Sequence, residues 1–320
     1  MSLAVLAPGL ATTVQDGGRR GFRAIGVGEG GAADRYSLAV ANLLAGNAPD
    51  DAVLEIALTG PTLRLGRAAT IAVCGATIDA HVDGLRIPGW RPVALPAGSV
   101  LALGACRRGA RAYLAFDGGI DVPVVLGGRG TDVRGGFGGF EGRALQAGDR
   151  LELGRATVPD RPATEPAFPG WWIGADDDLD FGDVVVVRVL PGADATDPPV
   201  TLFDRDFTVD AASNRQGLRL RGDALRPADP RERVSEPVVP GTVQLPPGGQ
   251  PIVLLADAQT VGGYPRIAHV IAADLPRLAQ RRAGQRLRFA PADPIDAARA
   301  AAGQQARLAR IALAIASRRR

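Results

Sequence analysis

Ten consecutive residues, Asp257 to Arg266, gather groups able to do chemistry: the Asp257 carboxylate, the Gln259 amide, the Thr260 hydroxyl, the Tyr264 phenol and the Arg266 guanidinium. They follow the apolar run Pro251 to Ala256, which reads as a short buried strand. A polar loop at a strand end is a usual place for binding and catalysis. Gly262-Gly263 allows a sharp turn or close approach to a ligand, and Pro265 holds the exit. Asp257, Gln259 and Arg266 are the candidate catalytic groups, with Thr260 and Tyr264 as candidate substrate contacts. A plain surface hairpin could carry the same side chains without requiring this mixture.

Three further segments compete for a chemical role. Thr12 to Phe22 sets Thr13, Gln15, Asp16 and Arg19 around a glycine turn. Either Asp16 caps backbone amides in a hairpin, or these residues line a cleft for an anion that the planar Arg fork matches. On composition the hairpin leads. Ser213 and Asn214 suit a simple turn, while Arg215 beside them could clamp an anion, making all three candidate substrate contacts. Gly135 to Arg143 is glycine-rich, but a lone loop of this kind is a weak phosphate signal and reads better as a mobile hairpin. There is no Gly-x-Ser-x-Gly elbow, zinc signature or close Ser and His pairing. The tools on hand suit polarising or positioning carbonyl, carboxylate or phosphate groups.

Composition narrows the chemistry further. All 37 basic residues are arginine, so a P-loop lysine, a Schiff-base lysine and a lysine carrying biotin or lipoate are excluded. Against 34 acidic residues the net charge is only +3 and dispersed, which argues against a nucleic-acid partner. Cys74 and Cys106 have no CxxC spacing and suit a reducing compartment, as small core residues. His81 and His269 match no metal spacing, so no metal site is expected, and each reads as a satisfied sheet residue. A hydrophobic content of 46% and a mean hydropathy of +0.05 support a sizeable core. No apolar run reaches membrane-spanning length, and Met1 to Pro8 has no basic segment before it, so the expected location is cytoplasmic.

The elements that must position these groups are mostly strands. From Leu54 to Leu153 short runs recur between Gly, Pro and Asp breaks: Thr62 to Leu65, Ala69 to Val73, Ile78 to Val82, Val100 to Leu103 and Ala112 to Phe116. One helix is predicted over Asp34 to Leu44, capped by Asp34 and stopped at Gly46-Asn47. Another is predicted after Asp293, with Pro294 at its first position and Leu308, Ile311, Leu313 and Ile315 on one face. Residues 156–182, with Pro159, Pro162, Pro166 and Pro169, Trp171-Trp172 and Asp176 to Asp178, read as a linker. The expected organisation is therefore mainly β: a subdomain at 1–155, the linker, and a second β-barrel subdomain at 183–320 ending in a helix.

The order of several segments carries a resemblance. Thr12 to Gly21, Ala41 to Asn47 with Leu54-Glu55, Gly118 to Pro123, Glu141-Gly142-Arg143, Leu190-Pro191-Gly192, Ser213 to Gly222, Pro240 to Pro246 and Gly249 to Ala268 all match one family. The chain resembles 5-oxoprolinase C subunits, allophanate hydrolase subunit 2 and the carboxyltransferase halves of urea carboxylases. That resemblance implies a cyclophilin-like β-barrel architecture and a partner, the B subunit. It also implies ATP-dependent activation of 5-oxoproline for ring opening to glutamate with the A subunit, by a protein inactive alone. ATP and Mg would belong to the complex, with no covalent biotin on this chain. The alternatives are the carboxyltransferase half of a biotin-dependent urea or amide carboxylase, or a KipA-like regulator of a KipI-like partner. Gly30, Gly128 and Gly130 replace family serines, Gln216 and Leu218 replace Met and an aromatic, and Val261 replaces a threonine.

Overall fold

A computed structural model describes residues 2–156, 164–174, 179–194, 200–225 and 234–318. Two compact units divide the chain: Met1–Arg19, Asp34–Leu179 and Leu308–Arg320 form unit 1, and Arg20–Ala33 with Asp180–Arg307 form unit 2. The architecture is mainly β, as expected.

Unit 1 is one ten-stranded sheet. Its strands are β1 (Ser2–Ala7), β2 (Ala11–Gln15), β3 (Val53–Ala57), β4 (Thr62–Leu65), β5 (Ala69–Val82), β6 (Leu85–Arg86), β7 (Val93–Leu95), β8 (Val100–Phe116), β9 (Ile120–Asp121) and β10 (Arg150–Leu153). Two pairs of runs that the sequence separates are continuous strands here, β5 and β8. Gly75, at φ +86°, and three register shifts between Gly75 and Ala80 let β5 bend while staying paired. Helix α1 (Arg35–Ala45) starts where Asp34 accepts the Ser37 N–H at 2.9 Å and stops at Gly46. Leu3, Val14, Leu54, Ile56, Leu63, Leu101, Leu114 and Phe116 fill the core. Cys74 and Cys106 are buried and not disulfide-bonded, and burial followed by the Asp34 charge pushes the Cys74 thiol well up.

Unit 2 closes into a barrel. Its elements are β11 (Val184–Pro191), α2 (Val200–Phe203), β12 (Asp206–Val209), β13 (Gly217–Arg221), β14 (Glu236–Pro237), β15 (Thr242–Gln244), β16 (Ile252–Leu254), β17 (Val261–Gly262), β18 (Arg266–Val270), α3 (Leu275–Ala279) and β19 (Arg286–Pro291). The barrel order is β11-β18-β15-β16-β13-β12-β19, closed by a parallel β19–β11 pair, and β14 pairs with β17 outside it. Along β11 burial alternates. Val185 and Val187 point into the core, while Val186 is 44% exposed. Phe207 and Phe289 meet edge to face in that core, with centroids 5.7 Å apart.

The domain reading differs from the structure in two ways. Units 1–155 and 183–320 are not each continuous, because residues 20–33 belong to unit 2 and 308–320 to unit 1. The first exchange has a physical anchor: Arg23 Nη2 donates to the Val238 carbonyl and Arg215 Nη2 to the Gly31 carbonyl at 2.6 Å. The described part of the expected linker is also fixed to unit 1. Ala94 and Ala167 exchange backbone hydrogen bonds of 2.8 and 2.9 Å, and Arg91 Nη1 reaches the Pro169 carbonyl at 3.0 Å. Pro159, Pro162 and Asp176 to Asp178 lie outside the described residues. Helix α4 (Pro294–Arg318) begins as expected, with Asp293 accepting the Asp296 N–H at 2.7 Å. Ile311 and Ile315 are buried, but Leu313 is 71% exposed, since two residues past Ile311 lies near the opposite face of a helix.

Candidate functional site

The loop after β16 is built on an ion pair. Asp257 accepts from Arg215 Nε at 2.7 Å and Nη2 at 2.9 Å, and the Asp257 N–H donates to the Arg215 carbonyl at 3.0 Å. Both side chains are half-buried, so this two-point clamp pins the loop start to the turn before β13. At the loop end, Arg266 Nε lies 3.2 Å from Asp194 Oδ2, and its Nη2 meets Glu236. The Arg266 N–H also donates to Asp194 at 2.9 Å. Thr260 is buried and its carbonyl accepts from the Val238 N–H at 3.0 Å, while Gln259 is half-buried and Tyr264 is exposed. Ser213 and Asn214 take the turn role: Ser213 Oγ accepts the Arg219 N–H at 3.0 Å and Asn214 Oδ1 the Gln216 N–H at 2.8 Å.

Unit 1 holds a different polar cluster. Gln15 is fully buried and donates from Nε2 to Thr13 Oγ1 and to the Thr131 carbonyl, both at 3.1 Å. Its Oε1 has no partner. Asp16 accepts from the Gly18 N–H at 2.9 Å and from the Arg129 N–H, so it acts as a turn cap. Arg19 is 1% exposed. Its Nε donates to the Val125 carbonyl at 3.1 Å, its Nη2 to the Gly130 carbonyl, and its guanidinium stacks 4.8 Å over Phe137. Nη1 is left without a partner.

These contacts explain two departures from the family pattern. A Cβ at Gly128 would fall 2.8 Å from Arg19 Cγ and 3.4 Å from Asp16 Oδ2, so serine there would displace the buried arginine. At Gly30, φ is +57°, a conformation that serine adopts at a cost.

The glycine-rich loop folds on itself. The N–H groups of Gly135, Gly136 and Phe137 all donate to Asp132, Gly139 to the Arg129 carbonyl and Gly142 to the Gly138 carbonyl. Amides engaged in turns cannot cradle phosphate. Among the described residues no group of three His, Cys, Asp or Glu side chains could hold a metal. A cleft of about 570 Å³ does open along the loop, lined in part by Val125, Phe137, Phe140 and Arg150.

Sequence reasoning missed a buried relay in unit 1. The Asp34 N–H donates to Tyr113 Oη at 2.8 Å, Tyr113 donates to Glu55 Oε2 at 2.8 Å, and Arg111 Nε lies 3.6 Å from Glu55 Oε1. Burial first, then the Glu55 and Asp34 charges, push the Tyr113 phenol well up and keep it a donor. Only the matching Leu54-Glu55 pair hinted at this network. Asp194, Glu236 and Thr131 likewise gave no local signal.

Against known proteins, the chain is 40% identical over 313 residues to the 5-oxoprolinase C subunit of Escherichia coli, covering 95% of each. It is 35% identical to the Haemophilus influenzae protein of the same name over 87% of each. The K. lactis urea amidolyase structure superposes with a TM-score of 0.85 at 29% identity, covering 97% of this chain and 20% of that one. With residues 25–291 also matching the family described as carboxyltransferase domain, subdomain A and B, the chain belongs to that family.

Proposed function

We propose that this chain is the C subunit of a 5-oxoprolinase, working with the B subunit to activate 5-oxoproline and with the A subunit to open the ring to glutamate. The observation that carries this is the 40% identity over 95% of both chains with a protein of that name. Urea amidolyases reach 30 and 32% identity, over 16 and 17% of their length. A five-membered lactam is a stable amide. Donors on its carbonyl oxygen draw charge onto that atom, and a guanidinium matches its carboxylate. Side-chain amides in the Asp257–Arg266 loop region supply such donors. ATP and Mg are assigned to the assembled enzyme.

The test is ATP hydrolysis dependent on 5-oxoproline with this chain and the B and A subunits, each omitted in turn. Activity that survives omission of this chain removes the reading. Arg266→Ala and Asp257→Asn are expected to abolish turnover while leaving association with the B subunit intact. Wild-type rates in both would make the loop structural.

A further inference from the structure

We propose that a cleft built wholly from unit 1 residues binds a small carboxylate with an aromatic body. The cleft opens beside the bend of β5 and encloses about 550 Å³, within the roughly 300–1,000 Å³ usual for small-molecule sites. Ile78, Ile87, Trp90 and Phe168 supply much of its wall. The backbone pairing of Ala94 with Ala167 sets the next residue, Phe168, at the cleft. Trp90 stands at φ +56°, a conformation that a bulky residue rarely adopts. Its N–H donates to the Val73 carbonyl at 2.8 Å and its carbonyl accepts the Ile173 N–H at 2.9 Å, so the surrounding chain holds the strain in place. Backbone strain over-determined in this way clusters at ligand sites.

The charged members of the lining select the ligand. They are Arg86 and Arg91, with no acidic residue beside them among the described residues that line the cleft. Arg91 is partly committed, since Nη1 donates to the Pro169 carbonyl at 3.0 Å and the guanidinium lies 5.5 Å from the centre of the Trp172 ring. Arg86 is exposed, and among the described residues no ion pair or hydrogen bond engages its guanidinium. Asp79, whose charge interacts with Arg86, is already held by Arg107 Nε at 2.7 Å. A free planar fork at the edge of apolar and aromatic walls suits a carboxylate whose body is a ring. A cation is repelled there, and a polar body such as that of 5-oxoproline loses its hydrogen bonds to water against these walls.

The experiment titrates the full chain, wild type, Thr77→Trp and Arg86→Gln, by ligand-observed NMR. The probes are phenylacetate, phenylacetamide, phenethylamine, acetate and 5-oxoproline. Thr77 and Arg86 are exposed positions of the lining, and each variant is checked for a wild-type melting temperature. Wild type is expected to bind phenylacetate at least about tenfold more tightly than any other probe, because only phenylacetate offers both the charge-assisted contact and the ring. Arg86→Gln, which removes the carboxylate's partner, is expected to bring phenylacetate down to the affinity of phenylacetamide. Thr77→Trp, which narrows the cleft, is expected to weaken both together. Wild type binding none of the probes, or any other probe matching phenylacetate, overturns the proposal. Unchanged phenylacetate affinity in either variant overturns it as well. Should one variant melt early, the other variant and the wild-type probe series still decide.

Discussion

Two arginine environments, one in each unit, differ in how their charge is balanced. Arg19 in unit 1 is buried against the Val125 and Gly130 carbonyls and the Phe137 ring, and no ion pair among the described residues includes it. Arg215 and Arg266 in unit 2 are held by Asp257 and by Asp194 with Glu236. A guanidinium bound to neutral carbonyls keeps its positive charge where the dielectric is low, so it attracts an anion. One bracketed by carboxylates is locally neutral and serves as framework. By this contrast, Arg19 rests on neutral groups, whereas the unit 2 arginines are ion-paired into the loop framework.

The largest effect is expected at Arg19. Arg19→Lys loses the planar fork and orphans two carbonyls, at a cost of about 3 kcal/mol. A denaturation midpoint equal to wild type would break the contrast. Next comes Arg215→Ala, which leaves Asp257 half-buried without its partner and is expected to cost about 2 kcal/mol. The double variant with Asp257→Ala should recover part of this, with a coupling of about 1 kcal/mol. Strict additivity would mean that the pair is not framework.

The smallest effect is in pH. Burial lowers His269 from its ordinary 6.5, so the folded unit 2 keeps it neutral while the unfolded chain takes up a proton first. Its contribution is complete above 6.5 and is lost as pH falls toward the lowered value. In unit 1, the Arg143 hydrogen bond lowers Asp149 below 3.8, so that contribution is lost only in stronger acid. Hydrogen exchange between about pH 7 and 5 should show protection falling in unit 2 and holding in unit 1. His269→Gln should flatten the unit 2 slope, and equal slopes would sink the distinction.

Much of the fold was legible locally. Asp34 and Gly46 bracket α1, Asp293 and Pro294 start α4, and Thr62 to Leu65 is β4, because caps and alternation act over a few residues. The fusion of Ala69 to Val73 with Ile78 to Val82 was hidden, since a bulge at Gly75 breaks the alternation that marks a strand. The site was legible as residue types in a loop. The partners of those residues were not, because Asp194 is 72 residues from Arg266 and Gly31 is 184 residues from Arg215.

The sequence alone determined the mainly β character, the helix ends, the absence of lysine and so of any lysine-based covalent chemistry, and the segments that resemble the carboxyltransferase family. Those properties follow from composition and short-range pattern. Only the tertiary structure decided that residues 20–33 join unit 2. It also decided that Arg215 and Arg266 are neutralised where Arg19 is not, and that the Gln244 amide packs against Gly262. Pairing and burial depend on which distant strands the barrel closure brings together, and no local pattern encodes that.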